Sequence, residues 1–137
     1  MVVTHSTIER STFIAVADDC SVTRAVVPPD NGSIARRQYD LLRAQPGQLT
    51  ADDVLFTVWA DRQELPADER EEARRQFFAK GQPCLRCSPL AKRYGWGFLC
   101  DSQGRVTLCG LGSGDYDRAL ADASLAQRKA MRSSRVG

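Results

Sequence analysis

"YGWGFLCDSQGRVTLCG", Tyr94 to Gly110, decides the fold. Tyr94 to Cys100 alternates, with Tyr94, Trp96 and Phe98 on one face and Gly95 and Gly97 on the other. Arg105 to Gly110 alternates as well. Between them "DSQG", Asp101 to Gly104, has turn chemistry, with Gly104 at a positive-φ position. The whole stretch reads as an antiparallel hairpin at about 94–110. Its bare glycine face implies that another part of the chain approaches closely there.

Upstream, "TFIAVADD", Thr12 to Asp19, reads as a strand. "VTRAVV", Val22 to Val27, is a second strand or an extended link, closed by Pro28-Pro29 and the turn Asp30 to Gly32. Ser33 caps a helix to about Ala44, with Ile34, Gln38, Leu41 and Leu42 on one side. Thr50 caps a second helix, with Asp53 placed as in a capping box and Val54, Leu55, Val58 and Trp59 facing the core. Pro66 opens a third helix, acidic at its start and basic at its end. Glu71 and Arg75 are an i,i+4 pair there, Ala73, Phe77 and Phe78 form the buried side, and Gly81 is the expected left-handed terminator. A last helix starts near Ser113 or Asp115, with Tyr116, Leu120 and Ala123 on one side.

The order of elements gives an α+β fold, with a small antiparallel sheet that includes the C-terminal hairpin. Three to four helices cover one face of it. The 137 residues form a single domain, with residues 1–11 and 128–137 loosely ordered at its ends.

Composition narrows the function classes. With 42% hydrophobic and 26% charged residues and a net charge of +2, the chain is an ordinary globular protein. That charge does not by itself imply nucleic acid. The apolar run Phe13 to Ala17 is too short for an export signal and ends at Asp18 and Asp19. No run reaches membrane length, so no membrane partner is expected. A cytoplasmic protein with reduced thiols follows, and five cysteines, an odd number, argue against a disulfide framework. Oligomeric state stays open.

The chemistry-bearing candidates cluster just before the hairpin. Cys84-Leu85-Arg86-Cys87 has the spacing of half a zinc site or of a redox dithiol. The remaining ligands are missing: His5 is the sole histidine, and Cys100 and Cys109 can face each other across the hairpin but do not form a second knuckle. No metal and no cofactor are therefore expected, and the bland reading is a pair of partly buried thiols. Cys84 beside Lys80, Arg86, Lys92 and Arg93 is a candidate nucleophile or oxidation sensor, without an adjacent base.

Charge points further. No acid occurs between Glu72 and Asp101, while six basic residues and half of the ten aromatics do. Cations beside aromatic faces suit phosphates, nucleotides or single strands. Arg74 and Arg75 read as a solvated helix face. Lys80, Arg86, Lys92 and Arg93, with Tyr94 and Trp96, are the candidate ligand-binding residues. "GLGSGD", Gly110 to Asp115, lies between strand and helix like a phosphate cradle, but its spacing is wrong and Asp115 would repel phosphate. The acid pairs Asp18/Asp19 and Asp52/Asp53 serve turns and caps.

"TFIAVADDC", "DDVLFTVWADR" and above all "FFAKGQPCLRCSPLAKRYGWG" resemble an uncharacterised family of small bacterial proteins, a domain of unknown function, from about Thr12 to Arg132. The block KGQPCLRxSPLxKRYGWG, Lys80 to Gly97, is specific to the resemblance. It implies that Cys87 stands where the family carries Ala, so the Cys-x-x-Cys is incidental. It also implies that Gly112 to Gly114 replaces an acidic stretch. No activity comes with it.

The leading expectation is a small binding module for an anionic, phosphate-bearing ligand, more binder than enzyme. Nucleic acid is a weaker partner. The alternatives are a thiol enzyme or redox sensor using Cys84, and a purely structural or interaction role in which the block ties the third helix to the hairpin.

Overall fold

The computed structural model describes residues 5–133. The fold is α+β. Four strands, β1 (Thr12–Ala15), β2 (Trp96–Cys100), β3 (Val106–Gly110) and β4 (Ala126–Lys129), form one sheet in the order β3-β2-β1-β4. The helices are α1 (Ile34–Ala44), α2 (Ala51–Arg62), α3 (Arg70–Ala79), α4 (Pro89–Arg93) and α5 (Gly114–Ala121).

The hairpin forms where expected, with Phe98 opposite Leu108 and Leu99 opposite Thr107. Gly104 has φ +78° in its turn. β1 pairs antiparallel with β2, placing Phe13 beside Leu99. The close approach on the glycine face is real: a Cβ at Gly97 would lie 2.8 Å from Phe13 Cζ and 2.9 Å from the Ile14 carbonyl. Val22 to Val27 is a link rather than a strand. It is held to the hairpin by Ala25 N–H to the Leu111 carbonyl and Val26 N–H to the Tyr94 carbonyl.

The sheet is mixed rather than antiparallel, because β4 runs parallel to β1, with Phe13 beside Gln127. The second half of β4, Arg128 and Lys129, lies in the segment expected to be loosely ordered. All four of its side chains are exposed, so it has no apolar face to announce it. Backbone pairing holds it, and Ala130 just beyond is buried. The described part of the other end is also tied down. His5 N–H donates to the Phe78 carbonyl at 2.8 Å, Thr7 donates twice to Asp52 Oδ1, and Ser11 N–H bonds the Asp101 carbonyl. Residues 1–4 and 134–137 lie outside the described residues.

Helices lie on both faces, not one. Ile14, Phe98, Cys100 and Val106 pack with Leu42, Val54 and Leu90 from α1, α2 and α4. Phe13, Ala15 and Cys109 pack on the opposite face with Tyr116 and Ala119 of α5. Leu120, expected on that side, is half exposed. Cys100 and Cys109 therefore sit on opposite faces of the hairpin, opposite Val106 and Gly97, and do not meet.

The third packing unit joins α2 to α3 through Phe56, Ala60 and Phe78. The α2 capping box forms as read, with Thr50 and Asp53 exchanging hydrogen bonds. Arg75 pairs with Glu72 rather than Glu71. Gly81 is not left-handed. The orphan carbonyls at the end of α3 are taken instead by Gln82 Nε2, which donates to the Phe77 carbonyl at 2.8 Å, and by His5.

Candidate functional site

The segment from α3 to α4 lays down one wall of a cleft of about 290 Å³. Gln82 fixes its start on α3. Cys84 to Cys87 then makes a single tight turn, closed by Cys87 N–H to the Cys84 carbonyl at 2.9 Å. Ser88 caps α4 by accepting from Leu90 N–H, and Pro89 takes the first helical position, where a missing N–H costs nothing. The Ser88 hydroxyl also donates to Gln38 Oε1 at 2.5 Å, tying this wall to α1.

The facing wall is a stripe of α2. Leu55, Val58, Trp59 and Arg62 follow the i, i+3, i+4, i+7 spacing that keeps side chains on one helix face. Ile34 and Phe77 close the ends. Trp59 stacks on Phe77, with ring centroids 5.1 Å apart, and both are also near Phe56. Trp59 is 37% exposed, because it lines this cleft instead of filling the core.

A second cleft of about 480 Å³ adjoins the first. Trp59, Phe77 and Gln82 line both, and Leu65, Ala73 and Lys80 belong to the second. Arg62 is the charged residue of the first lining and Lys80 that of the second; neither lining contains an acid. Among the described residues, neither cation forms a salt bridge. An apolar trough with a cation on each side can seat a hydrophobic body and hold an anionic group.

The six residues expected to bind ligand are distributed, not gathered. Lys80 lines the second cleft. Arg86 Nε donates to the Lys129 carbonyl at 2.7 Å, and its own carbonyl accepts from Met131 N–H, so Arg86 braces β4. Lys92 and Arg93 occupy the last turn of α4, where cations suit the helix dipole, and line neither cleft. Tyr94 caps α4 and packs against the main core. Trp96 lies against Tyr39, centroids 5.3 Å apart, and donates from Nε1 to the Val26 carbonyl. Cys84 lines the first cleft, as does Cys87.

The cleft residues that sequence reasoning missed are Arg62, Trp59, Phe77 and Ile34. A signal existed. In α2, Val54, Leu55, Phe56, Val58, Trp59 and Ala60 are more apolar residues than one core-facing stripe requires. Helix α2 meets the sheet-side core, α3 and the cleft at once.

Electrostatics elsewhere is structural. Burial pushes the Cys100 thiol up to about 12 and the Cys109 thiol up to about 11, with nearby carboxylates adding to both. Burial also works against Asp53 ionising, but the Thr50 N–H and the Arg74 guanidinium at 2.9 Å outweigh it and hold that carboxyl below its usual range. Among the described residues, no three His, Cys, Asp or Glu side chains converge as a metal cage. Among the described residues, no helix is long and apolar enough to cross a membrane.

A family model described as a family of unknown function (DUF6157) matches residues 4–136. Neither a curated protein nor a solved structure matches the chain.

Proposed function

The chain belongs to the DUF6157 family of unknown function, and we propose that it is a binding protein for a small anion with an apolar body. The site is the pair of adjoining clefts at Trp59 and Phe77. The observation that carries this reading is the lining itself: a mainly apolar trough with Arg62 on one side, Lys80 on the other and no acid. The reading keeps the ligand class expected from the acid-free window. It moves the contacts from Arg86, Lys92 and Arg93 to Arg62 and Lys80. The ring faces are those of Trp59 and Phe77 rather than Tyr94 and Trp96.

Binding rests on two terms. Covering the exposed indole and its neighbours removes apolar surface from water at about 25 cal/mol per Å². The cation then selects sign. A phosphate, sulfonate or carboxylate head satisfies it, and a neutral head leaves it to solvent. A reducing compartment such as the cytoplasm fits the five unpaired cysteines.

The test uses anilinonaphthalene sulfonate, which combines a flat apolar body with a fixed anion. Its fluorescence titration is compared with that of the uncharged anilinonaphthalene, and inorganic phosphate is tested as a competitor that displaces it. The sulfonate should bind best, and Arg62→Ala should weaken it about fivefold to tenfold, the size of one charge-assisted contact open to water. Trp59→Ala should abolish binding while circular dichroism stays unchanged. Equal affinity for the uncharged compound, or a sulfonate affinity indifferent to both substitutions, would overturn the reading.

A further inference from the structure

We infer that Cys84 and Cys87 form a reversible dithiol–disulfide site in the wall of the first cleft, loaded by exchange with a low-molecular-weight disulfide. This inference is independent of any ligand in the cleft.

Three observations meet here. First, the backbone is set for the bond. Cys84 and Cys87 are the two ends of one closed turn, with Cys87 N–H on the Cys84 carbonyl at 2.9 Å. Such a turn holds its end Cα atoms within about 7 Å, the upper limit a disulfide spans. Second, both side chains line the same cleft, Cys87 exposed and Cys84 partly so, so neither points into the core. Third, the turn is fixed from both sides. Gln82 is anchored to α3, and Ser88 N–H bonds the Leu85 carbonyl while its hydroxyl bonds Gln38. The turn that brings the two residues together is therefore held in place.

The chemistry balances without help from another group. The Cys87 thiolate, the more accessible of the two, attacks one sulfur of the external disulfide and expels one small thiol. The Cys84 thiolate then attacks the Cys87 sulfur of that mixed disulfide and expels the second small thiol. Two electrons pass from the protein to the external disulfide, and the two protons given up by the cysteines end on the two released thiols. A small dithiol reverses both steps. Cys100 and Cys109 lie buried on opposite faces of the sheet and take no part.

Trypsin provides a direct readout, because Arg86 stands between the two cysteines. The folded, reduced chain is equilibrated with a series of glutathione disulfide ratios, quenched in acid, alkylated and digested. In the oxidised chain, peptides 81–86 and 87–92 should emerge joined, and dithiothreitol should separate them. The same equilibration in urea should give a lower yield at every ratio, because the unfolded loop lacks the turn. Cys84→Ser should stop the reaction at a glutathione adduct on Cys87. Persistent glutathione adducts on Cys84 or Cys87 of the unaltered chain would overturn the inference, as would two free thiols at these positions at every ratio. So would a joined yield no higher in the folded chain than in urea. All three outcomes are read by mass alone on the unaltered chain and do not depend on the variant folding.

Discussion

Ser88 and Gln38 share a buried hydrogen bond of 2.5 Å, and among the described residues it is the single side-chain hydrogen bond between α4's cap and α1. The same hydroxyl accepts from Leu90 N–H and so caps α4. Ser88→Ala should cost about 2 kcal/mol, combining a lost cap with a buried amide left without its donor. Gln38→Met alone should cost less, and the double variant should recover part of the loss, because removing both partners leaves nothing unsatisfied. Urea melts of the four proteins form the cycle that measures this coupling.

Arg86 is predicted to be a brace rather than a ligand contact. Arg86→Ala removes the bond to the Lys129 carbonyl but leaves the Met131 N–H bond, which is backbone to backbone. Stability should fall by about 1 kcal/mol, since the site is partly open to water. Amide exchange along β4 should speed up, while sulfonate binding stays unchanged. A large loss of sulfonate binding with normal exchange in β4 would reverse the assignment.

Asp53 gives the pH dependence a defined direction. Its folded pKa lies below the ordinary 3.8, so near that value the unfolded chain holds the proton more tightly. The stabilisation is thus present above the unfolded pKa and is lost as pH falls through the folded one. Asp53→Asn should lower stability by about 1 kcal/mol at neutral pH, the usual size of a cap contribution. The gap between the two proteins should narrow below pH about 4, where the native carboxyl is protonated too. Thermal melts from pH 7 to 3 would show the two curves converging; parallel curves would remove the linkage.

Two glycines should respond in opposite ways. Gly97→Ala drives a methyl onto the Phe13 ring and the Ile14 carbonyl, in the centre of the sheet. The expected cost is about 3 kcal/mol or more, at the upper end for overpacking. At Gly81 nothing lies within 4 Å of an added Cβ and φ is not positive. Gly81→Ala should be neutral or gain about 0.5 kcal/mol through the unfolded chain. Guanidinium midpoints of the two variants decide it.

Thiol labelling should follow burial. Cys87 and Cys84 should react with iodoacetamide at pH 8 well before Cys109 and Cys100, whose thiols are pushed up to about 11 and about 12. Peptide mapping at timed quenches gives the order. Early labelling of Cys100 would mean that the sheet-side core opens.

The hairpin was legible in the sequence because its signals are local. Alternation, a turn glycine and two bare glycines all lie within one stretch. The helix caps at Ser33, Thr50 and Ser113 were legible for the same reason. β4 was not, since Ala126–Lys129 has no apolar alternation and owes its place to backbone bonds with residues far back in the chain. The cleft was not legible either. Leu55, Trp59 and Arg62 look like the continuation of a core stripe until the 82–89 segment is seen to face them across a cleft. The basic block misled because charge in sequence does not state direction. Arg86 turns to a carbonyl of β4, Lys80 to the cleft beyond Phe77, and Lys92 and Arg93 to the end of a short helix.

β1 is an apolar, fully covered strand whose two neighbours come from residues 96–100 and 126–129. During synthesis it is made long before either partner and stays unpaired until β2, and then β4, have followed it. Closure of the sheet therefore waits on contacts far apart in sequence, which makes it slow. Until then Phe13 and Ile14 are open to any passing chaperone or any other nascent copy.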